Sequence, residues 1–116
     1  MSSVVSSSAR QAEAIESLYQ LRRPQEVRHF LSAHPFLLPL LEGAHGRVQE
    51  RFPASRVFLQ VLRDPEDPAN SQLIAFVVTD CDPAAALEKL QDLDANWWFA
   101  AMDQAQGKFH INLEPA

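Results

Sequence analysis

Four histidines, one cysteine, ten Lys and Arg side chains and two adjacent tryptophans carry whatever chemistry this 116-residue chain can do. A histidine metal site needs rings that converge on one point, most simply at i and i+4 of a helix. His29, His34 and His45 are spaced by five and eleven, with only Glu26 and Glu42 as nearby carboxylates, so no metal site is expected. Cys81 stands between Asp80 and Asp82, an acidic setting that does not suit a nucleophilic thiolate, and reads as a plain cysteine at a strand end. Phosphate cradles and nucleophile elbows need glycines at fixed spacing, and the chain has three glycines and no G-x-S-x-G, G-x-x-x-x-G-K or G-x-G-x-x-G motif. No catalytic residue and no cofactor are expected.

Binding residues are easier to nominate. On a helix Trp97 and Trp98 lie about 100° apart, so both can be buried only if their segment is sandwiched between layers. Either both anchor the core, or Trp98 joins Phe99 and Met102 in an apolar contact patch for a partner, where aromatic residues and Met are favoured. His110 and Asn112 fall on the polar side of the last strand and are candidate contacts as well. A basic surface could be formed by Arg22, Arg23, Arg28, Arg47 and Arg51 if the fold gathered them on one face. A pocket between the N-terminal helices and the sheet would draw on Arg51, Arg56 and His110.

Charge is divided along the chain. Met1 to Arg63 holds eight Arg against five Glu, or +3, and Asp64 to Ala116 holds two Lys against ten acids, or −8. A net charge of −5 repels phosphate backbones, so nucleic acid is a disfavoured partner. The lone cysteine excludes an internal disulfide and points to a reducing, cytoplasmic setting. No apolar run is long enough for a signal peptide or a membrane span. A chain of this length forms one domain that buries roughly 65% of its unfolded surface.

These side chains must be positioned by elements that the hydrophobic periods outline. Residues 1–7 are serine-rich and expected to be disordered, and the domain is expected to occupy 8–116. A helix is expected over 8–22 with Ser8 as N-cap, a short second one from Pro24 to His34, and a third through Leu37, Leu41, Ala44, Val48 and Phe52, which Pro39, Gly43 and Gly46 each weaken and which should be kinked or ragged at its start. After Pro53 the period falls to two. Val57 to Leu62 and Leu73 to Thr79 should pair as an antiparallel hairpin whose 64–71 loop exceeds the usual length. Asp82 caps a helix with Pro83 at its first position, and this continues either kinked or as a second helix capped by Asp94, until Gly107. Phe109, Ile111 and Leu113 alternate with His110, Asn112 and Glu114 as the last strand. The order α-α-α-β-β-α-α-β implies an α+β domain, a small sheet packed by helices.

The runs HPFLLPLLEGA, ALEKLQDLDANWWF and GKFHINLE together resemble a family of small bacterial proteins, over most of the chain from about Leu31 onward. That resemblance implies a bacterial cytoplasmic protein and brings no catalytic residue. A weaker likeness to nucleotidyltransferase-type domains fails on the residues: no Gly-Ser ends the first hairpin strand, and LIAFVV stands where paired aspartates would hold metal. The expectation is a non-enzymatic protein-interaction module, antitoxin-like or regulatory, acting with a protein partner or as a homodimer. A small-ligand binder or enzyme with a helix–sheet pocket is the alternative, and nucleic-acid binding through the N-terminal arginines the third.

Overall fold

The computed structural model describes residues 3–116, apart from the side chains of residues 3–9 and 68. Its elements are α1 (Ser3–Leu18), β1 (Gln20–Leu21), α2 (Pro24–Ala33), α3 (Leu37–Arg51), β2 (Val57–Leu62), β3 (Gln72–Thr79), α4 (Pro83–Leu93), α5 (Phe99–Ala105) and β4 (Phe109–Pro115). A 3-10 turn, Pro68–Asn70, lies in the β2–β3 link, and a π turn, Asp94–Trp98, joins α4 to α5. This is the α+β arrangement that the periods imply. The sheet order is β1-β2-β3-β4, with β1 parallel to β2, β2 antiparallel to β3 and β3 parallel to β4.

The first helix departs from expectation at both ends. The stretch expected to be disordered lies partly outside the described residues, and α1 begins at Ser3, which places Ser8 inside the helix and not at its N-cap. The helix stops at Leu18 because the next residues serve the sheet: Gln20 and Leu21 pair with Phe58 and Leu59, and the Arg22 amide donates to the Leu59 carbonyl at 2.9 Å. Two residues are too few to show a period, so β1 left no trace in the hydrophobic pattern.

In α3, Pro39 is the third residue of the helix. Its missing N–H falls in the first turn, where amides have no intrahelical partner, so it marks a start and imposes no kink. Asp82 caps α4 as expected, its carboxylate accepting from the Ala84 amide at 3.2 Å with Pro83 at the first helical position. Asp94 caps nothing. It is helical (φ −60°, ψ −49°), and the helix runs on through the π turn. The Asn96 amide donates to the Asp92 carbonyl at 2.9 Å and to its carboxylate at 2.8 Å, occupying a carbonyl of the α ladder where the turn widens. This sets the phase of the helix. Leu93, Trp98, Ala101 and Ala105 are buried at steps of five, three and four, and the five-residue step is the π turn. Left-handed Gln106 (φ 51°) and Gly107 (φ 73°) end α5.

The core forms where one sheet face meets the helices. Leu59, Ala75 and Ile111 stand in one cross-strand row, and Val61, Leu73 and Phe109 in the next. Leu59, Leu73, Val77 and Phe109 are fully buried with Ile15, Val27, Leu37 and Leu41 from the helices. Each such side chain contributes roughly 1.5–3 kcal/mol by leaving water.

Candidate functional site

Among the described residues, the other face of the sheet contributes nothing to the helix-packed core. Alternation sends Phe58, Gln60, Ile74, Phe76, Val78, His110, Asn112 and Glu114 to this side, and none belongs to the core cluster. Ile74 is buried; the rest are half-buried or exposed, with His110 and Asn112 exposed. In register, Gln20, Phe58, Phe76 and Asn112 form one row across all four strands. The two phenylalanines are therefore direct neighbours on the central strands, with Ile74 and Val78 two residues to either side of Phe76.

Arg22 lies across this aromatic pair. Its guanidinium carbon stands 4.4 Å from the Phe58 ring centre and 5.4 Å from that of Phe76, distances at which a cation is attracted to the ring face. It donates to both carboxylate oxygens of Glu114, one at 2.9 Å, and to Gln60 Oε1 at 3.3 Å. Hydrogen bonding to Glu114 raises the Arg22 pKa, and the same bond holds the Glu114 carboxyl below its ordinary value, with partial desolvation opposing both shifts. Arg56 also approaches Phe58, at 5.6 Å, and has no carboxylate partner among the described residues. The face thus has an apolar aromatic centre, a polar rim of Gln20, Gln60, His110 and Asn112, and cations above it. Among the described residues this face holds no nucleophile with an adjacent base.

Of the residues nominated from the sequence, Arg22, His110 and Asn112 meet on this face. Trp98 does not: it is 8% exposed and packs edge-on against Phe109 with ring centres 5.8 Å apart, which makes it a core anchor. Phe99, 63% exposed, and Met102, 45% exposed, lie on a separate helical surface one turn apart. Each of the five arginines has a carboxylate: Arg22 with Glu114, Arg23 with Glu26, Arg28 with Glu16, Arg47 with Glu50 and Arg51 with Asp92. The Arg51 contact is a 2.8 Å charge pair whose N–H is not aligned for a hydrogen bond.

The pocket imagined around Arg51, Arg56 and His110 does not assemble, because Arg51 sits on α3 while the other two belong to the open sheet face. A cavity is present beside α2 instead, with other residues around it. His45 is half-buried, edge-on to Tyr19, and burial lowers its pKa. Among the described residues no three His, Cys, Asp or Glu side chains gather to hold a metal ion. Lys89 Nζ lies 3.6 Å from Cys81 Sγ. Among the same residues no helix is long and apolar enough to cross a membrane. Phe58 and Phe76 were not singled out from the sequence; the available signal was that both hairpin strands carry large apolar residues at odd and even positions.

Fold and face together define a two-layer α+β domain with a one-sided sheet. No family model, curated protein or solved structure matches the chain.

Proposed function

We propose that the chain is a non-enzymatic protein-interaction module that receives an amphipathic helix of a partner protein on its open sheet face. The observation that carries this reading is the Phe58–Phe76 pair, in register on the two central strands on the face that, among the described residues, lies outside the helix-packed core. A sheet face with an apolar centre is completed by a second layer, and a helix is the element that usually supplies it. Arg56, without a carboxylate partner among the described residues, favours a helix with an acidic residue beside its apolar stripe. Arg22 would be displaced from the rings or become part of the contact. An antitoxin-like or regulatory role in a bacterial cytoplasm belongs to the same reading, supported by the small size of the domain, its lone cysteine and the absence of catalytic motifs in the sequence. Nucleic-acid binding is less favoured, since all five N-terminal arginines that would carry it are ion-paired.

The test is affinity purification of the tagged protein from the organism that encodes it, comparing the wild type with Phe76→Glu and Phe99→Glu. Expected is a stoichiometric protein retained by the wild type and Phe99→Glu and lost from Phe76→Glu. Loss from Phe99→Glu alone would move the contact to α5. A wild type that retains nothing and sediments as a monomer would overturn the reading, and a wild-type dimer made monomeric by Phe76→Glu would make the occupant a second copy.

A further inference from the structure

We infer a second site, a pocket for a small organic oxyanion between α2 and the 64–71 loop, on the helix-covered side of the sheet. The cavity measures 390 Å³, within the size range of small-molecule sites. Its apolar wall includes Phe30 and Val61, and its polar wall Glu26, His29, His34, Arg63, Ser71 and Lys108.

The loop that closes it is built to hold a shape, which accounts for its excess length. Asp64 accepts from the Glu66 amide at 2.9 Å through its carboxylate, and Asp67 from the Ala69 amide at 3.2 Å. The backbone turns Asp67 to Asp64 and Asn70 to Asp67 tighten it further. Lys108, just before β4, donates to the Ala69 carbonyl at 2.9 Å and so ties the loop to the sheet. On the opposite wall His34 is fixed too: its Nδ1–H donates to the Phe30 carbonyl at 2.9 Å, and its ring stacks on Phe30 at 4.3 Å. A pocket with both walls held in place binds without a large ordering cost.

Its charge selects the ligand. Among the described residues Glu26 is the one carboxylate in the lining, and two cations already stand against it, Arg23 at 3.7 Å and Arg63 at 3.8 Å. Arg63 touches it only loosely through Nε, so its fork remains available for a planar or tetrahedral oxyanion. Lys108 makes one hydrogen bond and has two further N–H groups. In a chain of net charge −5 this pocket lining carries more cations than anions, beside an aromatic and aliphatic wall. The matching ligand is a carboxylate or phosphate monoester on a small apolar body.

Two-dimensional amide NMR with phenyl phosphate, benzoate and neutral phenol tests this on the full chain. Expected is saturable movement of the His29, His34, Arg63 and Lys108 amides with at least one of the two anions, and binding weaker by roughly tenfold for phenol and for Arg63→Gln. Arg63 is largely exposed, so far-UV circular dichroism should verify that Arg63→Gln keeps the fold. Phe76→Glu should bind the anion like the wild type, which separates this site from the sheet face. Whichever anion binds more tightly identifies the head group. No saturation at millimolar anion, movement centred elsewhere, or phenol binding as well as the anions would overturn the inference.

Discussion

Arg22 and Glu114, 92 positions apart, meet across the open sheet face, where the guanidinium grips both carboxylate oxygens above the Phe58 and Phe76 rings. The pair joins the residue after β1 to the last strand, over two strands that carry no charge between them. Both side chains are about one-third exposed, so solvent screens the attraction and the geometry of the double bond matters more than the charges alone.

A pH dependence follows from that pair. The folded-state pKa of Glu114 is depressed, so the pair stabilises the fold above the ordinary glutamate value, and this contribution is lost as pH falls through the lower folded-state value. Glu114→Gln should lower the urea midpoint at neutral pH, and the difference from the wild type should close in acid. A difference that stayed constant down to pH 3 would assign the loss to packing.

Trp98 and Phe99 are adjacent in sequence and opposite in consequence. Trp98→Ala removes a buried indole from its contact with Phe109 and should cost roughly 3–5 kcal/mol. Phe99→Ala changes an exposed side chain and should stay within about 0.5 kcal/mol of the wild type. Urea denaturation of both variants checks the contrast, and equal losses would mean that Phe99 is packed.

How far the sequence foretold these features depends on how local their causes are. Asp82–Pro83 is a complete cap within two residues, and the alternation Phe109, Ile111, Leu113 needs only β4, so both were legible. Even the π turn leaves a local mark, in the five-residue step from Leu93 to Trp98. Strand β1 left none, because Gln20 and Leu21 become a strand only by pairing with β2. The pairing of Phe58 with Phe76 depends on hairpin register, and the loop between them was too long to set it by turn type. The bond from Arg22 to Glu114 depends on the order of all four strands. The open sheet face is the least local feature of the molecule; of the residues on it the sequence singles out only His110, Asn112 and Arg22, the last as part of a basic surface.

Tyr19, the only tyrosine, reports on unfolding in alkali. Its hydroxyl donates to the Leu41 carbonyl at 2.6 Å inside the core, and burial raises its pKa far above the ordinary phenol value. The folded state therefore keeps its proton where the unfolded state would lose it, so stability falls as pH rises above the unfolded value of about 10. Tyrosinate absorbance should appear together with the loss of far-UV circular dichroism. Absorbance rising before the dichroism changes would show that the hydroxyl reaches solvent in the folded protein.

Gly46 offers a stabilising change. It lies inside α3, where glycine costs about 0.5–1 kcal/mol against alanine through the extra freedom of the unfolded chain. A Cβ placed there meets no atom within 4 Å, so Gly46→Ala should raise stability by about that amount. Gly43, three residues earlier, makes the comparison informative. Its added methyl would touch the Trp97 indole at 4.0 Å, an ordinary van der Waals contact, so Gly43→Ala should gain a similar amount. Thermal melts of the two variants read both effects. A gain at Gly46 with a loss at Gly43 would show that Trp97 sits closer to α3 than this contact implies.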